Sequence, residues 1–119
     1  MLNDRKVMIV EDEVFLALDL QDHLESLGLK VVGLAHTLDD ALSLAETIDI
    51  DFAVLDINLR GEKSLPVARR LRERDVPFLF VTGYDRSGLD PDLKDAVVLS
   101  KPLSRDHLET AIEMVVGSD

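Results

Sequence analysis

Each of four apolar runs in the sequence ends on side chains able to do chemistry. Residues 7–10 are followed by Glu11, Asp12 and Glu13, residues 52–55 by Asp56, Ile57 and Asn58, residues 78–81 by Thr82, Gly83 and Tyr84, and residues 96–99 by Ser100, Lys101 and Pro102. Glu11, Asp12 and Asp56, brought within several Å of one another, repel by about 1 kcal/mol or more per pair at surface-like dielectric, so a cation belongs among them. Mg2+ fits such a set: it accepts one or two carboxylates, keeps several waters and leaves positions for phosphate oxygens. Lys101 adds a flexible point charge for a phosphate oxygen, and Thr82 a hydroxyl donor. Together these groups form a phosphoryl-transfer constellation, in which a carboxylate can attack phosphorus and become an aspartyl phosphate. Asp56 is the candidate nucleophile because it directly follows the expected central strand. Taken singly, each piece has a plainer reading: EDE could be an acidic helix start and KP a turn. Their joint placement on strand ends is what argues for chemistry. Zinc is disfavoured, since His36 is the one histidine at a strand end; His23, His36 and His107 are expected to be surface residues.

The elements that must position these groups are legible from the pattern. The four runs show no alternation, as expected of strands buried on both faces of a parallel sheet, and KVVGLA, interrupted by Gly33, is a fifth. Between them lie helical stripes: Leu16, Leu20, Leu24 and Leu27 with Gly28 as a stop; Leu38, Ala41, Leu42 and Ala45 after an N-cap at Thr37; Leu65, Ala68 and Leu71 after Ser64; and Leu108, Ala111, Ile112 and Val115 between Ser104 and Gly117. The stretch YDRSGLDPDLK, with Gly88 and Pro91, predicts a short or irregular fourth helix. Alternating strands and helices require right-handed crossovers. The expected fold is therefore α/β, a flavodoxin-like, doubly wound, five-stranded parallel sheet of order 2-1-3-4-5, with ligands bound beyond the carboxyl ends of the strands. That order makes strands 1, 3, 4 and 5 successive neighbours, so the polar strand ends converge on one edge.

Composition narrows the function classes. The 119 residues, without repeats or a linker, read as one domain over residues 1–119. No apolar run approaches the roughly 20 residues of a membrane span, and the start lacks signal-peptide features, so the expected compartment is the cytoplasm. With no cysteine, disulfides and thiolate chemistry drop out. A net charge of −11 repels nucleic acid and anionic membranes, so neither is an expected partner. Arg69, Arg70, Arg72 and Arg74 break this acidic pattern, either as a solvated helix face or as a docking patch for an acidic partner.

On these motifs the chain resembles a response regulator receiver domain over essentially its full length: VEDE after the first strand, LDINLRG around Asp56, VTG after the fourth and SKP after the fifth. The resemblance implies a two-component or phosphorelay signalling protein, not an enzyme with an external substrate. It would catalyse its own phosphorylation on Asp56 from a histidine kinase's phosphohistidine and its own slow dephosphorylation. It further implies that Asp12, Asp56 and the backbone carbonyl of Asn58 bind Mg2+, that Glu11 acts through water, that Thr82 and Lys101 hold the phosphoryl oxygens, and that the Lys101–Pro102 peptide is cis. FLFVTGYD is similar to the signature of the FATGUY group of receivers, with Val81 where alanine is usual; members are often stand-alone receivers paired with kinases of HWE or related type. Receivers usually carry an aromatic switch residue three positions before the lysine. Here that position is Val98, which moves the expected aromatic role to Tyr84, next to the switch residues Thr82 and Gly83.

The chain ends about one helix after Lys101, which leads to the expectation that it works through a downstream protein partner. Two alternatives have their own signatures. A Mg2+-dependent phosphohydrolase would need a general acid/base near Asp56, where Asn58 stands, and a cap over the substrate. A receiver-like binding module that is never phosphorylated would have no need to keep four costly polar groups together.

Overall fold

The computed structural model describes residues 4–83 and 89–117. In chain order these residues form β1 (Lys6–Val10), α1 (Val14–Ser26), β2 (Lys30–Ala35), α2 (Leu38–Thr47), β3 (Phe52–Asp56), β4 (Asn58–Leu59), β5 (Glu62–Lys63), α3 (Leu65–Glu73), β6 (Phe78–Thr82), a single 3-10 turn at Pro91–Leu93, β7 (Val98–Ser100) and α4 (Arg105–Val116). The main sheet is parallel throughout and ordered β2-β1-β3-β6-β7. With the small β4–β5 hairpin set aside, this is the expected 2-1-3-4-5 order. Among the described residues, no helix is long and apolar enough to cross a membrane.

Burial follows sheet position. β3 and β6 are buried along their whole length and β1 along all but its first residue, because helices cover both faces; the edge strands β2 and β7 are partly exposed. Two apolar layers result. One holds Met8, Val10, Leu55, Phe80, Leu71 and the α2 alanines, and the other Val7, Ile9, Val54, Leu79, Leu24 and the inner face of α4. Burying one such leucine or isoleucine contributes roughly 1.5–3 kcal/mol. At Gly33 an added Cβ would lie 2.6 Å from Ile48 Cδ1, so the tip of the Ile48 side chain would have to move to admit one.

Capping follows the expected residues in two helices. Thr37 Oγ1 accepts from the Asp40 amide at 3.2 Å, and Ser104 Oγ from the His107 amide at 3.1 Å. Gly28, at φ 91, takes the left-handed turn that stops the chain after α1. Ser64 behaves differently: it occupies the N-cap of α3 with ψ near zero, its amide donates to the Ile57 carbonyl, and its buried Oγ has no hydrogen-bond partner among the described residues. With this non-extended backbone its hydroxyl makes no capping bond to the first turn of α3.

Three expectations shift. The last strand begins at Val98, not Ala96, because the Ala96 amide closes the preceding turn on the Leu93 carbonyl. The buried face of α1 is Ala17, Leu20 and Leu24, which leaves Leu16 on a largely exposed apolar first turn with Val14, Phe15 and Leu18. The irregular fourth helix is represented by the 3-10 turn at Pro91–Leu93, while residues 84–88, Tyr84 included, lie outside the described residues.

The arginines in and just after α3 form an exposed face, with Arg69, Arg70 and Arg72 at 41–46% side-chain exposure, but not a free patch. Arg70 lies 3.7 Å from Glu73 and 4.0 Å from Glu46, and the others are paired more closely. Arg69 binds Asp90 at 2.6 Å and Asp92 at 3.0 Å; Arg72 donates to the Asp92 carbonyl at 2.8 Å, pairs with Asp95 and covers the Phe78 ring. Arg74 donates to the carbonyls of Ala45 and Ile48 at the end of α2. Charge that looked available for a partner ties α3 to the segments on either side of it.

Candidate functional site

The carboxyl ends of β1, β3, β6 and β7 bring Glu11, Asp56, Thr82 and Lys101 together, because each residue closes or directly follows a strand whose register is fixed by buried neighbours. Glu11, Asp56 and Thr82 are buried, at 2%, 6% and 1% exposure. Lys101 Nζ donates to Glu11 Oε1 at 2.8 Å and to Asp56 Oδ2 at 3.0 Å, so one cation bridges two of the three carboxylates. The Lys101 amide donates to the Thr82 carbonyl at 2.8 Å, and the Lys101–Pro102 peptide is cis, as the resemblance implied.

Glu11, Asp12 and Asp56 each offer an oxygen within 4.8 Å of the others. This all-oxygen set, with one member half-exposed, suits a hard divalent cation that keeps part of its water shell. Backbone amides hold the carboxylates in place: Glu13 donates to Glu11 Oε2 at 3.2 Å, Asn58 to Asp56 Oδ1 at 3.2 Å, and Arg60 to Asp12 Oδ2 at 3.2 Å. Burial pushes the Glu11 carboxyl up to about 7, with the neighbouring Asp12 and Asp56 adding to the effect and the hydrogen bonds from Lys101 and Glu13 opposing it. Burial works to lower the Lys101 ammonium, but its bonds to Glu11 and Asp56 prevail and hold it above its ordinary value. The centre therefore has more negative charge than its lysine can neutralise. A divalent cation or a protonated Glu11 would relieve it.

Gly83 is exposed, and among the described residues nothing lies within 4 Å of where its Cβ would stand. A cavity of about 370 Å³ adjoins Glu11 and Lys101, walled by Leu16, Leu20, Val81 and Leu103. Val98 pairs with Phe80 in the sheet and is half-buried, an aliphatic filler at its position.

Two neighbours of the site were not apparent as such in the sequence. His36, expected at the surface, is half-buried with Nδ1 2.8 Å from the Glu11 carbonyl oxygen, and His23 is also half-buried. Arg60, at the tip of the β4–β5 hairpin, reaches the acidic edge from across the site. The one hint was Arg60–Gly61 between two short polar stretches, a turn dipeptide of ambiguous meaning.

The site and fold together define a doubly wound α/β module with a polar, acidic edge at the carboxyl ends of its strands. The family model for the response regulator receiver domain matches residues 7–113, and the chain belongs to that family, the receivers of two-component signalling. It is similar to the structure of SdrG from Sphingomonas melonis Fr1, at 44% identity and a TM-score of 0.80 over 94% of this chain and 95% of that one. SdrG from Pseudomonas melonis Fr1 in its BeF3-activated conformation matches at 43% identity and a TM-score of 0.77, over 94% and 96% of the two chains. The response regulator PhyR from Brucella abortus aligns at 30% identity and a TM-score of 0.81, over 95% of this chain and 48% of PhyR. The transcriptional regulatory protein PdtaR of Mycobacterium tuberculosis is 29% identical over 95% of this chain and 57% of its own length. The chain thus spans roughly half the length of PdtaR and PhyR.

Proposed function

We propose that the protein is a phosphoacceptor of a cytoplasmic two-component system, phosphorylated on Asp56 by a histidine kinase, of HWE or related type, and acting through a protein partner. The observation that carries this reading is the bridge from Lys101 Nζ to Glu11 and Asp56 inside a three-carboxylate cluster. A carboxylate oxygen of Asp56 attacks the phosphorus of a phosphohistidine; the new P–O bond forms as the P–N bond breaks, and the departing imidazole nitrogen keeps the electron pair. Lys101 holds one phosphoryl oxygen and the Thr82 hydroxyl another, both preplaced by β6 and β7. Mg2+ held by Asp12, Asp56 and the Asn58 carbonyl, with Glu11 acting through water, would neutralise charge on the phosphoryl group. Slow attack of water on the aspartyl phosphate returns the resting state. Thr82, Gly83 and Tyr84 form the switch, with Tyr84 in the aromatic role that Val98 does not fill. The similarity to SdrG, which has a BeF3-activated conformation, supports this reading.

Incubation with a small phosphodonor and Mg2+, followed by intact mass, tests it. Wild type is expected to gain one phosphoryl group and Asp56→Asn none. Equal labelling of Asp56→Asn, or none of wild type, would overturn the assignment. Tyr84→Ala is expected to change phosphate lifetime or partner affinity while labelling persists.

A further inference from the structure

Of the three clustered carboxylates, Lys101 bridges Glu11 and Asp56, whereas Asp12 is held by a different element. That element is the β4–β5 hairpin, in which Asn58 pairs with Lys63 and Leu59 with Glu62. Leu59 is buried at 2% exposure and seats the hairpin on the core. Its two-residue turn places Arg60 at φ 52 and Gly61 at φ 87, the left-handed pair of a type I′ connection. This conformation aims the Arg60 amide at Asp12 Oδ2, 3.2 Å away, and lays the guanidinium at the acidic rim, with Nη2 3.5 Å from the Asp12 carbonyl. An amide that fixes one carboxylate oxygen orients the other, and such outer contacts typically alter metal affinity 10–100-fold. A guanidinium at the backbone carbonyl of the same residue acts in the opposite sense, because its charge near the acidic cluster repels an arriving cation.

We propose that Arg60 is a positioning residue with two opposed effects: its backbone, set by the hairpin turn, aims Asp12 for a divalent cation, while its side chain weakens the hold on that cation. This rests on the metal reading of the site given above. The hairpin thereby sets the affinity of the acidic edge without contributing a ligand.

The two effects separate by mutation. Arg60→Asn keeps the amide and suits the left-handed turn while removing the charge; Mg2+ is expected to bind about 3–10-fold more tightly by calorimetric titration, with Arg60→Lys close to wild type. Gly61→Val disfavours the turn and is expected to weaken Mg2+ binding about 10–100-fold. It should also speed hydrogen exchange of the Arg60 amide in metal-free protein, with the unfolding transition retained. If wild type binds no Mg2+, the metal reading fails. If wild type binds but Arg60→Asn and Gly61→Val both match its affinity, the role of the hairpin is overturned and the metal reading stands.

Discussion

Two charge clusters in this protein are built in opposite ways. Around Glu11, Asp12 and Asp56, like charges are crowded where water is scarce, and Lys101 bridges two of them. Around α3, each of Arg69, Arg72 and Arg74 has acidic or carbonyl partners at hydrogen-bond distance, in more exposed settings. The first stores unfavourable interaction that a ligand or proton can relieve; the second holds segments together and has little left to offer a ligand. Proximity of charge thus says little about function until the sign balance and the burial are known.

Mutations should separate the two. The largest effect is expected for Lys101→Met, which strands two buried carboxylates: a loss of about 3 kcal/mol at neutral pH, measured by denaturant unfolding. The loss should shrink in acid, as Glu11 takes up a proton. Next, Arg74→Ala removes a cation bonded to two carbonyls at the end of α2 and should cost about 1–3 kcal/mol with little dependence on pH between 5 and 8. If Arg74→Ala proves harmless while Lys101→Met is costly, the α3 cluster is decorative and the contrast fails.

The pH dependence sharpens the comparison. A carboxyl raised from 4.5 in the unfolded chain to about 7 in the fold binds its proton more tightly when folded. Its contribution is complete below pH 4.5 and is lost as pH rises towards 7 and beyond. Wild type should therefore lose about 1–3 kcal/mol relative to Glu11→Gln between pH 5 and pH 8, measured as the difference of the two unfolding curves. Parallel curves would mean Glu11 is ionised throughout. The smallest effect belongs to Arg69→Ala, whose exposed pairs with Asp90 and Asp92 should move the denaturant midpoint least of all, and less still in high salt.

Much of the site could be read from the chain because Glu11, Asp56, Thr82 and Lys101 lie at or beside the ends of apolar runs, where sheet order alone brings distant residues to one edge. The N-caps at Thr37 and Ser104 were legible for a similar reason: they depend on residues three apart. What escaped reading depends on contacts that no local period encodes. Strands of two residues, as at Asn58–Leu59 and Glu62–Lys63, are too short to show alternation, so the hairpin that carries Arg60 was hidden in LDINLRG and the two residues after it. The partners of Arg69 lie more than twenty residues further on, in a stretch that reads only as irregular. The Leu16 stripe misled because an apolar residue on the flank of the true Ala17–Leu20–Leu24 face keeps the helical spacing without being covered.

The exposed first turn of α1 has a colloidal consequence. Phe15, at 86% exposure, stands with Val14, Leu16 and Leu18 on a molecule of net charge −11. In dilute buffer, mutual repulsion should keep these greasy turns of separate copies apart. At roughly 1 M salt the screening length falls to about 3 Å, and the same copies meet with their charge masked and their phenylalanines still bare. Ionic strength, more than protein concentration, then sets where self-association begins.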